Sequence, residues 1–176
     1  MTAGPLTPFV SPLVTDCAAV GVGAVCGALA RHNIGRIATD KIASNPERFS
    51  HLTGWHTAGI NVLGSFVLGG VFGSPVIDPA AAVNSNKIPP PTSSAAASKA
   101  TTNAVRQFGL TPRQKLMVGV GFCGSFTTFS TFSVDVVNMV GKGQMGKAAA
   151  YVMTNNVGGV AAAAMGMMVA RRLFGC

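Results

Sequence analysis

The chain has 176 residues, 48% of them hydrophobic and only 10% charged, a balance that excludes an ordinary water-soluble domain and makes a bilayer the expected solvent. Its formal net charge of +8 has the sign of a nucleic-acid binder, but the Lys and Arg lie between apolar stretches and there is one Tyr and one Trp, so nucleic acid is set aside as a partner. Cys17, Cys26, Cys123 and Cys176 lack the short paired spacings of a zinc site, and no nucleophile-base pair or metal constellation adjoins an apolar stretch, so an enzyme is not expected either.

From the N-terminus, residues 1–15 lack a basic start and hold three prolines, which argues against a cleaved secretory signal. The first apolar stretch is therefore expected to stay in the mature protein. A membrane-spanning helix needs about 20 mainly apolar residues, and four windows meet that length: 13–33, 55–77, 116–140 and 147–170. The expected fold is all-α, a polytopic membrane protein of one domain. Small residues recur on single helical faces at Gly23 and Gly27, and again at Gly158, Ala162 and Gly166, so close backbone packing between helices is expected. The cysteines are read as packing residues without a disulfide framework. Between the second and third windows, residues 74–111 carry five prolines amid Ala, Ser and Thr and read as a long flexible loop.

Lys and Arg normally accumulate on the cytoplasmic side. Here Lys87, Lys99, Arg106, Arg113, Lys115, Arg171 and Arg172 fall on one side, against Arg31, Arg36, Lys41, Arg48, Lys142 and Lys147 on the other. That near balance suits insertion in both orientations and an antiparallel homodimer.

Polar groups inside a bilayer are costly and mark partners or ion paths. In the second window Asn61 and Ser65 share a face. Two readings stand for Asn61: an amide donor to an anion, or a hydrogen bond to a neighbouring helix. The third window contains Gly121-Phe-Cys-Gly-Ser-Phe-Thr-Thr-Phe-Ser-Thr-Phe-Ser133. Gly124, Ser125, Thr127 and Thr128 weaken the helix there, because hydroxyls compete for backbone groups. A break in mid-membrane is expected, exposing carbonyl oxygens that suit Na+. Phe129 and Phe132 follow on one face among the hydroxyls of Ser130, Thr131 and Ser133. Their electropositive ring edges and those donors suit a small anion, with lipid-facing or core rings as the plainer reading. Tyr151 and Asn155 form a second row on the fourth window. Arg31 ends the first window, at a pore mouth or snorkelling to the interface. Asp135 is placed to pair with a basic group or tune the site, and Asp16 to lie near the interface.

These residues resemble the Fluc/CrcB family of fluoride channels over about residues 18–172. Gly23-Ala-Val-Cys-Gly-Ala-Leu-Ala-Arg31 is similar to the family's first-helix stretch, Asn61-Val-Leu-Gly-Ser-Phe66 to its second-helix motif, and Gly121 to Ser133 to its signature. The resemblance implies an antiparallel, dual-topology homodimer in the cell membrane, with membrane lipid around it and two pores that export fluoride passively and protect against its toxicity. By position it implies a phenylalanine box of Phe129 and Phe132, with Asn61, Ser130, Thr131, Tyr151, Asn155 and Arg31 along or near the ion path. Backbone carbonyls of Gly124 and Thr127 would hold a structural Na+ at the dimer interface. Ser125, Asp135, Asn155 and Gly159 depart from the usual residues, and the 74–111 loop exceeds the usual connection. The alternative function is a small proton-coupled multidrug-type exporter, for which Asp135 would have to carry the proton.

Overall fold

The structure, a computed structural model, describes residues 12–49, 52–77 and 109–175. Among them, four helices are long and apolar enough to cross a membrane: α1 (Pro12–Ser44), α2 (Trp55–Gly73), α3 (Pro112–Gly141) and α4 (Met145–Phe174). A single helical turn, Pro46–Phe49, follows α1. No strand forms among the described residues, where β-type pairing is confined to an isolated parallel bridge between Val76 and Leu110. The central part of the expected loop, 78–108, lies outside the described residues.

Helix ends follow local chemistry more closely than hydropathy. α1 runs 33 residues, or about 50 Å at 1.5 Å per residue, well beyond the apolar window that ends at Asn33. Arg36, Asp40 and Lys41 end the apolar run but are good enough helix formers to continue the helix until Pro46 biases Asn45 away from helical geometry. α2 stops at Gly73, short of the expected Ile77, since Pro75 favours extended backbone at Ser74 (ψ 145°). Lys115 Nζ then donates to the Ser74 carbonyl. α2 begins after Gly54, whose φ of 89° is a left-handed conformation that glycine adopts at little cost. α3 starts at Pro112, ahead of the expected Leu116, through a capping box: Thr111 Oγ1 accepts from Gln114 N–H, and Gln114 Oε1 accepts from Thr111 N–H.

Two helix pairs hold the chain together, α1 with the first part of α3 and α2 with α4. In lipid, apolar burial does not reward such contacts, so close packing and hydrogen bonds must. Glycines make the approach possible. A Cβ on Gly23 would overlap the Met117 carbonyl, one on Gly27 the Phe122 carbonyl, one on Gly69 the Ala163 carbonyl, and one on Gly166 the Phe66 carbonyl. Residues 116–123 of α3 are wound as π-helix, as are Thr154–Gly158 of α4. Ser125 Oγ lies 2.8 Å from both the Ala24 and the Gly121 carbonyl oxygens, tying α3 to α1. Asp16 pairs with Arg113 Nε at 3.4 Å at one end of the same helix pair. Of the described cysteines only Cys123 packs inside the chain, whereas Cys17 and Cys26 are exposed on α1, on faces that the single chain leaves uncovered.

The residues flanking 78–108 form a clamp: Ile77 N–H donates to the Leu110 carbonyl and Leu110 N–H to the Pro75 carbonyl, each at 3.1 Å. These bonds bring the chain together before residue 78 and after residue 108. Replacing 78–108 with a short Gly/Ser linker is therefore expected to change stability by less than about 1 kcal/mol, given the weak dependence of closure entropy on loop length. Thermal unfolding in detergent measures it, and loss of the folded protein would show that the segment contributes to the bundle.

Candidate functional site

The interruption of α3 arises from two side chains that take backbone donors. In a continuous α-helix the N–H of Thr128 would bond to the Gly124 carbonyl and that of Thr131 to the Thr127 carbonyl. Instead Thr128 N–H donates to Asn61 Oδ1 at 2.9 Å, and Thr131 N–H to Thr128 Oγ1 at 3.2 Å. Thr127 and Thr128 are extended, with ψ of 156° and 116°, and helix resumes at Phe129. Gly124 and Thr127 thereby lose the helical donors to their carbonyls. Thr127 N–H and Oγ1 both donate to the Cys123 carbonyl, which finishes the first half of the helix.

Asn61 bridges three segments. Besides accepting from Thr128, it donates through Nδ2 to the Thr128 carbonyl at 3.2 Å and to Asn155 Oδ1 at 2.8 Å. Asn155 Nδ2 donates in turn to the Tyr151 carbonyl at 2.9 Å. The amide orientations are dictated at both ends, because a backbone N–H only donates and a backbone carbonyl only accepts. Within the single chain Asn61 makes the interhelical bond, with both its amide hydrogens engaged.

Phe132 is buried between two rings: Phe129, at 5.6 Å between centroids, and Tyr151, stacked at 5.5 Å. Tyr151 is fully buried, meets Trp55 edge-on at 6.0 Å, and donates its hydroxyl to Asp135 Oδ2 at 2.9 Å. Phe129, by contrast, is 78% exposed. Ser130 and Thr131 place their hydroxyls 3.2 and 3.1 Å from Thr128 Oγ1, so they gather at the start of the second half of α3.

An open hollow of about 230 Å³ lies beside this interruption, lined by Asn61, Ser65, Thr127, Thr128, Phe129, Phe132, Asn155 and others. Its wall therefore combines amides, hydroxyls and aromatic rings. A second hollow, of about 310 Å³, is lined by Thr53, Gly54, Asp135, Asn138, Met139, Lys142, Gln144 and Lys147. Asp135, the acid a proton-coupled exporter would need, thus contacts Tyr151 and shares that hollow with two lysines. Arg31 lines neither hollow, Ser130 and Thr131 stand behind Thr128, and Tyr151 serves as the floor under Phe132. Asn156, absent from the expected site residues, also lines the first hollow. Thr128 is the larger omission. Its placement three residues before Thr131, at the start of a helix, is an N-cap pattern that the sequence carries.

Residues 18–167 match the family model described as CrcB-like protein, Camphor Resistance (CrcB). The chain belongs to the CrcB family. The fluoride-specific ion channel FluC of Gloeobacter violaceus is 29% identical over 161 residues, which are 92% of this chain and 100% of that protein. FluC of Methanocaldococcus jannaschii is 28% identical over 162 residues, covering 92% of this chain and 99% of its own length. FluC 1 of Mycobacterium bovis is 27% identical over 158 residues, covering 90% and 92%. Its CrcB membership and four apolar helices together make the chain a multi-pass membrane protein. The CrcB match includes α2, α3 and α4 up to residue 167, and so takes in every lining residue named for both hollows.

Proposed function

We propose that this chain is a fluoride-selective channel, a single four-helix domain that pairs with an antiparallel copy of itself and lets fluoride leave the cell down its electrochemical gradient. The observation that carries this reading is the lining of the first hollow: amides, hydroxyls and phenylalanine rings, with no Lys or Arg from the described residues. Fluoride holds its water tightly, so a pore must replace that water with donors and electropositive ring edges. A full cationic charge at the same place would hold the ion too long, since conduction needs binding weak enough to release. The names of the relatives support the choice of ion.

In this reading Phe132 is held by Tyr151, and Phe129, bare in the single chain, borders the path where the second copy approaches. Ser130 and Thr131 stand near it, Asn61 and Asn155 form its amide wall, and Arg31 attracts anions at the mouth. The dimer also answers a packing question. Only 11% of the apolar window of α1 is buried within the chain, which leaves a face for lipid and for a partner copy.

A structural Na+ fits the carbonyls of Gly124 and Thr127, because both have lost their helical donors and hard cations take oxygen ligands. Those carbonyls from each copy would hold the ion, which supplies a positive charge joining the two interrupted helices across the mid-membrane. The transport itself makes and breaks no covalent bond. When the outside is acidic, fluoride enters cells as its neutral acid and ionises inside; a path for the anion lets the membrane potential expel it.

The test is fluoride efflux from liposomes containing the purified protein, read with a fluoride electrode beside a chloride control, with a potassium ionophore relieving the electrical gradient. Rapid fluoride release without chloride release is the expected result. No release from liposomes shown to hold folded dimer would overturn the reading.

A further inference from the structure

We infer that Asn155 is a positioning residue for the cation site, acting through Asn61 to keep the Gly124 carbonyl free. The inference rests on the channel reading only in taking Gly124 and Thr127 as the Na+ ligands. The chain of contacts is short. Asn155 Oδ1 accepts from Asn61 Nδ2 at 2.8 Å, and Asn61 Oδ1 accepts the Thr128 N–H at 2.9 Å, the very donor that a continuous helix would give to Gly124. An amide has two faces, and its side chain rotates unless both ends are held. Thr128 meets both ends of the Asn61 amide, its N–H donating to Oδ1 and its carbonyl accepting from Nδ2, and Asn155 accepts the remaining Nδ2 hydrogen as the contact from α4 that keeps this pair in place. Asn155 is itself oriented by donation to the Tyr151 carbonyl, so its oxygen must point at Asn61.

Without Asn155, Asn61 loses one of its three bonds and the Thr128 N–H competes between Asn61 and Gly124. A Gly124 carbonyl that accepts from Thr128 is a poorer cation ligand. The residue at 155 would thus set how tightly Na+ binds, besides standing on the wall of the ion path. Asn156 supplies the control. It donates to its own helix at the Val152 carbonyl, as Asn155 does to Tyr151, and lines the same hollow, but it makes no cross-helix bond to Asn61.

The experiment is thermal unfolding of the purified full-length protein in detergent across a Na+ series at constant ionic strength, with fluoride absent. Asn155→Ala is expected to need about fivefold more Na+ for the same stabilisation, the factor that one net hydrogen bond commands. Asn155→Gln, which keeps both an acceptor for Asn61 and an amide donor, is expected to recover most of the wild-type Na+ response, and Asn156→Ala to respond like the wild type. An unchanged Na+ midpoint in Asn155→Ala, or an equal shift in Asn156→Ala, would overturn the inference. Should Asn155→Ala fail to fold, Asn155→Leu, closer to asparagine in volume and without an acceptor, decides: a raised Na+ midpoint upholds the acceptor role and a wild-type midpoint removes it. Because fluoride is absent, failure here is separable from failure of the liposome efflux that tests the channel.

Discussion

Phe129→Ile is expected to cut fluoride efflux about a hundredfold while leaving the single chain folded. Hydrogen-bond-like contacts to a charged group are worth about 1.5–3 kcal/mol, and losing about 2.7 kcal/mol at the most dehydrated point of the path slows passage by a factor of about 100. Isoleucine fills similar space but has no electropositive edge to offer the ion. The Phe129 ring is 78% exposed within the chain, so little internal packing is lost. Phe132→Ile is expected to show the same loss of flux together with a lower thermal midpoint. Its ring contacts both Phe129 and Tyr151, and aromatic pairs of this kind contribute about 0.5–1.5 kcal/mol each. The paired readout separates a ring that serves the ion from one that only fills space. Flux at the wild-type level in both folded variants would remove the rings from the conduction path.

Hydropathy located all four helices because bilayer thickness imposes a length on any apolar span. It misjudged their ends wherever a different force sets them. α1 continues through Arg36, Asp40 and Lys41 because charge stops the apolar run, not the helix. α3 begins at Pro112 because of the Thr111–Gln114 capping box, a signal of two residues that a window of about 20 averages away. The small-residue pairs on α1 and α4 pointed to close approach, and both faces do approach another helix. Their partners were not legible, since Gly23 meets Met117 and Gly166 meets Phe66 at sequence separations that periodicity cannot bridge.

The site was legible by residue type and not by contact. Asn61 and Asn155 stand out because polar groups at those places need a partner in lipid, and Phe132 because its ring edge sits among hydroxyls. That Asn61 partners Thr128, 67 residues away, is a tertiary fact. So is the mechanism by which Gly124 and Thr127 lose their helical donors, because the sequence shows the weakness of the helix there but not the side chain that exploits it. The π-helical turns at 116–123 and Thr154–Gly158 left no readable mark, because their extra residue per turn adjusts register to neighbours and carries no composition of its own.

The second large effect is structural: Gly166→Val is expected to abolish the folded protein. A Cβ there would overlap the Phe66 carbonyl and come within 3.0 Å of Gly70 N, so the clash is with backbone that no rotamer change relieves. Relief requires α2 and α4 to separate. Separation would also part Asn61 from Asn155, and with it the bond that links the two helices beside the interruption. The expected cost exceeds about 4 kcal/mol, the range of severe backbone and core disruptions, which is a large fraction of a typical domain's stability of about 5–15 kcal/mol. Gly69→Val on the facing helix is expected to behave likewise, because its Cβ would overlap the Ala163 carbonyl. Gly35→Ala is the contrasting case: its Cβ would meet nothing within 4 Å, and removing a helical glycine favours the helix by about 0.5–1 kcal/mol. Size-exclusion profiles and thermal midpoints in detergent distinguish the three. A monodisperse Gly166→Val protein with the wild-type midpoint would mean that α2 and α4 do not depend on this contact, and that the amide bridge beside the first hollow holds them together without it.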